Sequence, residues 1–93
     1  MSGRRYESHR KIIERCLTEQ CRVAVIRRDR RWLTDTWNHF LEELKQICPG
    51  EYTAVRRRIS FKNGSAILFA ADTDPHLIEK LRGQRIRYED MYF

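Results

Sequence analysis

Proline and glycine are scarce in this chain of 93 residues, two and four respectively, and no linker-like or low-complexity stretch interrupts it. No apolar run approaches the roughly 20 residues that span a bilayer, so a helical membrane anchor is not expected. No secretory leader is expected either, because Met1-Ser2-Gly3-Arg4-Arg5 passes directly into a helical pattern. The three cysteines, Cys16, Cys21 and Cys48, are odd in number and lack CxxC spacing. Reduced thiols packed as small hydrophobes in a cytosolic protein fit them best, with a metal site completed by His9 as the alternative. His9, His39 and His76 are scattered, and neither an HExxH nor a Ser-His-Asp arrangement is present. Asp72 and Asp74 read as an acidic loop with a helix cap rather than a metal pair. No catalytic constellation emerges, and no cofactor or metal is expected.

What remains is a small globular composition, 41% hydrophobic and 34% charged. One domain, residues 1–93, is expected to bury roughly 60–70% of its unfolded surface, leaving a small stability margin. The net charge is +6, with fifteen arginines to four lysines. Guanidinium offers a planar fork for phosphate or carboxylate, so the bias leans toward nucleic acid or an acidic protein surface.

Periodicity supplies the elements. Tyr6, His9, Ile13, Cys16 and Leu17 recur at helical spacing to about Glu19. Val23-Ala24-Val25-Ile26, flanked by charge, reads as a strand buried on both faces. A second helix carries Leu33, Trp37, Phe40, Leu41, Leu44 and Ile47 on one stripe and stops at Pro49-Gly50. Next comes a hairpin signal, Arg57-Arg58-Ile59-Ser60-Phe61 and Ala66-Ile67-Leu68-Phe69 joined through Asn63-Gly64. A two-residue loop would oppose Lys62 to Ser65, Phe61 to Ala66 and Ile59 to Leu68, leaving Arg58 and Phe69 on the other face. Asp74 and Pro75 are expected to open a short helix ended by Gly83. Arg85 to Phe93 reads as a last strand, with Ile86, Tyr88, Met91 and Phe93 turned inward. The sum predicts a small α/β domain, with two main helices packed on a sheet and a β-hairpin at its centre.

Val23-Ala24-Val25-Ile26-Arg27-Arg28, the helix containing Asp35-Thr36-Trp37, the hairpin from Ile59 to Phe69, Asp72-Thr73-Asp74-Pro75 and Leu81-Arg82-Gly83 together resemble the ATPase core of phage large terminases. Those P-loop enzymes pump DNA into capsids. The resemblance implies a truncated P-loop-like core, and its departures imply lost chemistry. Where a Gly-Lys-Ser or Gly-Lys-Thr loop would cradle phosphate, the chain reads Gly3-Arg4-Arg5-Tyr6-Glu7-Ser8. The acidic pair that would hold magnesium does not follow the last strand. Glu89 and Asp90 lie early and, on a strand, would face opposite ways.

Binding candidates are therefore the arginines. Arg27, Arg28, Arg30 and Arg31 cluster after the buried strand, with Trp32 beside them as a stacking or anchoring group. Arg56, Arg57 and Arg58 form a second group, expected on an edge strand where charge also discourages aggregation. Arg85 and Arg87, with Arg82, form a third. The expected function is that of a non-catalytic phage-type or mobile-element interaction protein in the host cytoplasm. It would bind and inhibit a larger nucleic-acid-handling complex, such as a CRISPR effector or a packaging motor. The alternatives are a direct DNA- or RNA-binding module and a terminase fragment acting in trans.

Overall fold

The computed structural model describes residues 8–93, which form one five-stranded mixed sheet with helices on both faces. Helix α1, His9–Thr18, begins where the Ser8 Oγ accepts the Lys11 N–H at 3.1 Å. Ile12, Ile13 and Cys16 form its buried stripe, Cys16 lying one turn beyond the two isoleucines as an amphipathic helix requires. Tyr6, expected in the same helix, lies outside the described residues. Strand β1, Arg22–Arg27, follows, with Val23 to Ile26 all buried. Helix α2, Arg30–Ile47, starts at Asp29, whose Oδ1 accepts the Trp32 N–H at 3.0 Å. Its buried residues are Leu33, Thr36, Phe40 and Leu44. Pro49 follows the C-cap Cys48, and Gly50 turns the chain at φ +81°.

Strands β2, Tyr52–Val55, and β3, Arg58–Phe61, are antiparallel, as are β3 and β4, Ala66–Ala71. After the short helix α3, Leu77–Gly83, and a single 3-10 turn, Tyr88–Asp90, comes β5, Met91–Tyr92. The sheet order is β2-β3-β4-β1-β5, with β1 parallel to both its neighbours. Alternation along β1 decides the two layers. Val23 and Val25 join α1, α2, Ile59, Phe61, Ile67 and Phe69 on one face. Ala24 and Ile26 join Leu77, Leu81, Ile86 and Met91 on the α3 face.

Three sequence-based expectations need correction. The β3–β4 loop has three residues, Lys62-Asn63-Gly64, not two. The Phe61 N–H donates to the Ser65 carbonyl at 2.8 Å, and only Gly64 takes a left-handed conformation there, at φ +94°. The reason is the Asn63 side chain. Its Nδ2 donates to the Cys16 carbonyl at 2.7 Å, and its Oδ1 accepts the Ser65 N–H at 2.9 Å. Loop and helix end are thereby locked together. The register shifts by one residue, so Ile59 opposes Ile67 and Arg58 opposes Leu68. A one-residue slip changes the face of every side chain, and Phe69 accordingly lies in the α1/α2 core.

The two-residue turn instead occupies Arg56-Arg57, between Val55 and Arg58, with φ of +52° and +64°. Two left-handed residues in succession are the requirement of a type I′ turn, which normally selects asparagine and glycine. None of the three arginines is thus on an edge strand: Arg56 and Arg57 form the turn, Arg58 opens the inner strand β3, and the edge on that side of the sheet is β2. Finally, the segment from Arg85 is not a continuous strand. Arg85 is left-handed at φ +66°, Glu89 and Asp90 lie in the 3-10 turn, and only Met91 and Tyr92 pair with β1. Phe93 is 42% exposed rather than inward. Asp74 caps a turn before α3 by accepting the His76 N–H at 2.8 Å, and Gly83 is the last residue of α3.

Candidate functional site

Parallel strands β4 and β1 end side by side, where the Asp72 N–H donates to the Arg27 carbonyl at 2.7 Å. In open α/β sheets this carboxyl edge is where loops diverge and leave a crevice. Here the crevice is a cleft of about 590 Å³ lined by Ile26, Arg27, Arg28, Asp29, Trp32, Asp72 and Phe93. A neighbouring depression of about 430 Å³ is bordered by Arg30, Thr34, Arg57, Phe69 and Thr73.

The members of the first arginine group play different parts. Arg27 is half-buried, its Nε donating to Thr36 Oγ1 at 3.1 Å and its Nη1 to the Ile26 carbonyl at 3.0 Å. Burial pulls its pKa below the ordinary arginine value. These contacts fasten the end of β1 to α2, so Arg27 is a structural member of the edge. Arg28, Arg30 and Arg31 are exposed and carry the positive charge outward. Trp32 in the first turn of α2 is 64% exposed.

The β2–β3 turn delivers the second group to the same edge, because β3 begins where antiparallel β4 ends. Arg57 lies over the Trp37 ring, 5.4 Å from its centroid, and its Nη2 donates to Thr34 Oγ1 at 3.0 Å. Arg56, at the tip, is exposed. Arg58 opposes Leu68 and donates weakly to Ser60 Oγ at 3.4 Å, beside the α3 face of the sheet. Thus Arg28, Arg30, Arg31, Arg56 and Arg57 share an edge that sequence spacing left as two separate groups.

The third group is apart. The Arg22 Nη1, at the start of β1, donates to the Gln84 carbonyl at 3.1 Å, which places the segment of Arg82, Arg85 and Arg87 at the opposite edge of the sheet. Those three arginines are exposed around a shallow depression with Ile86, Tyr88 and Glu89. They do not contribute to the cleft.

The remaining titratable groups serve the scaffold. Arg15 donates to Asp90 Oδ1 at 2.8 Å, Tyr92 Oη at 3.0 Å and Glu19 Oε1 at 2.8 Å, tying α1 to the 3-10 turn and β5. Burial works against its charge, but these bonds outweigh it and raise its pKa. His9 stacks on Phe40 at 4.3 Å, and burial, then the charges of Arg27 and His39, lower its pKa against the opposing pull of Glu43. Cys16 and Cys21 are free thiols with sulfurs 3.9 Å apart; burial, then Cys21, pushes Cys16 upward. Among the described residues, no group of three or more His, Cys, Asp or Glu is placed to hold a metal ion. No helix among them is long and apolar enough to cross a membrane. Gly3 to Glu7, the place compared with a P-loop, lies outside the described residues, and the Ser8 hydroxyl is engaged as the α1 cap.

Two positions, one at the cleft and one in the scaffold, escaped the sequence. Asp72 was read only as loop acid, although it borders the cleft. Ser65 was read only as a register residue. It is 1% exposed, and its Oγ faces the Cys16 carbonyl at 2.8 Å and the Glu19 carbonyl at 3.0 Å while accepting the Cys21 N–H at 3.1 Å. An Asn-Gly-Ser run after a helix-strand unit was the available signal. No family model, curated protein or solved structure matches the chain.

Proposed function

We propose that the chain is a non-catalytic interaction protein that engages a larger nucleic-acid-handling complex through its arginine-rich carboxyl edge. The observation that carries this reading is the placement of Arg28, Arg30 and Arg31 after β1 and of Arg56 and Arg57 in the β2–β3 turn, all at one edge, with Arg28 beside Asp29 and Asp72 in the cleft and Arg30 beside Arg57 in the neighbouring depression. Such a surface attracts phosphates or acidic side chains and competes with the basic sites that ordinarily meet them. Backbone strain at Arg56 and Arg57 adds support. Left-handed arginines cost about 1–2 kcal/mol each, and strain of this kind concentrates at functional positions. The resemblance to a terminase core, with Gly3-Arg4-Arg5-Tyr6-Glu7-Ser8 where a phosphate loop would stand, favours a phage or mobile-element protein that inhibits its target in the host cytoplasm. A CRISPR effector or a packaging motor would be a target of the right chemistry.

The test is affinity capture from infected host cells with the wild-type chain and with Arg28→Ala/Arg30→Ala/Arg31→Ala. Arg27 is left intact because it fastens β1 to α2. The triple variant should fold normally and lose the captured complex; undiminished capture would remove the arginine edge from the account. A second reading, direct binding of DNA or RNA, is favoured by the exposed Trp32 at the cleft. Steep weakening by salt would support it.

A further inference from the structure

Arginines alone do not account for the cleft at the end of β1. Among the described residues the exposed large hydrophobics are Trp32, Val55 and Phe93, and two of the three border this one cleft. Single exposed apolar side chains are ordinary, but aromatics converging on a concave site rimmed by charge mark a binding surface. Trp32 comes from the first turn of α2, while Phe93 follows β5 and packs on Tyr88 with centroids 5.8 Å apart. Ile26 and Asp72 also line it, one apolar and one acidic. The volume of about 590 Å³ lies within the range of small-molecule pockets, roomy enough for a nucleotide.

An acidic peptide would use the guanidiniums and leave the indole unused. Duplex nucleic acid would present phosphates while keeping its bases stacked on one another. An unpaired strand supplies both needs: π-faces for the aromatics and phosphates for the arginines, with sequence-tolerant stacking. A carboxylate can in addition accept a hydrogen bond from an N–H on the Watson–Crick edge of an unpaired base.

We infer that the cleft takes an unpaired base of single-stranded nucleic acid against Trp32 and Phe93, while Arg28, Arg30 and Arg31 hold the flanking phosphates. This deepens the proposed function and rests on it: the complex is engaged through its exposed strand as well as its protein surface.

The experiment uses the full chain and fluorescence anisotropy with a labelled thymidine octamer, an abasic octamer of equal charge and a duplex. The thymidine strand should bind at least about fivefold tighter than the abasic one, the lower bound of a single stacked base. Trp32→Ala and Phe93→Ala should each reduce that difference, with Trp32→Leu as a control that keeps apolar cover. Arg28→Ala/Arg30→Ala/Arg31→Ala should weaken both strands. For three phosphates, raising salt from about 50 to 200 mM should weaken the thymidine strand roughly twentyfold. Equal affinity for thymidine and abasic strands, preference for duplex, or unchanged binding by both aromatic variants would overturn the inference. If neither strand binds but arginine-dependent capture of the complex persists, the inference fails and the proposed function stands. If capture is indifferent to the arginines, the proposed function fails.

Discussion

Arg56 offers a clean perturbation, because its backbone is strained while its side chain is exposed at the tip of a turn. At φ +52° an L-residue other than asparagine or glycine loses about 1–2 kcal/mol relative to a relaxed conformation. Asparagine tolerates this region and avoids the added unfolded-state entropy that glycine brings. Arg56→Asn should therefore stabilise the domain by about 1 kcal/mol, raising Tm by roughly 4–8 °C for a chain of this size. Arg57→Gly is the internal control. Relief of its φ of +64° is offset by loss of the Thr34 hydrogen bond, about 1 kcal/mol, and of the Trp37 contact, about 0.5–1 kcal/mol. That variant should be neutral to destabilised. Urea titrations of wild type and both variants give the comparison, with the slope expected to stay constant. Both variants should bind the target complex more weakly. A destabilised Arg56→Asn would refute the left-handed turn, and with it the case that binding holds arginine there.

Other tests address the scaffold. Ser65→Ala leaves the Cys21 N–H without its side-chain acceptor and removes the hydroxyl shared between the Cys16 and Glu19 carbonyls, the first of which keeps the Asn63 amide, and should cost about 1–3 kcal/mol by urea titration. Asn63→Ala should cost about 1–2 kcal/mol through its bonds to Cys16 and Ser65, not through turn conformation, so Asn63→Asp should recover only the Ser65 bond. Arg15→Ala should cost about 2–3 kcal/mol and raise amide exchange at Met91 and Tyr92, because the Asp90 and Tyr92 contacts hold β5 against α1. His9 has its folded pKa lowered from 6.5, so below that value the unfolded chain binds the proton more readily. Stability should therefore fall as pH drops from about 6.5 through the folded pKa, and His9→Phe should flatten that part of the profile; an unchanged slope would contradict the burial of His9 against Phe40.

Legibility of the sequence varied with the range of the interaction involved. Val23 to Ile26 announced a strand buried on both faces because an unbroken apolar run has no solvent side to offer. The α2 stripe was visible because helical spacing repeats over five turns. The hairpin loop was not readable from Asn63-Gly64 alone: the Cys16 carbonyl that captures the Asn63 amide is 47 positions away in sequence. The last strand was overextended because alternation at Ile86 and Tyr88 reflects packing under α3, while Asp90 is drawn aside by Arg15.

The amino-acid order by itself determined the α/β class, the two main helices, the buried strand and the excess of guanidinium, since each depends on local periodicity or composition. Only the tertiary structure decided which arginines lie together. Antiparallel pairing of β3 with β4 carries the Arg56-Arg57 turn to the edge where β1 releases Arg28, whereas Arg85 and Arg87 fall at the other end of the sheet. Strand direction, a property of long-range pairing, assigns charges to edges, and no local pattern encodes it.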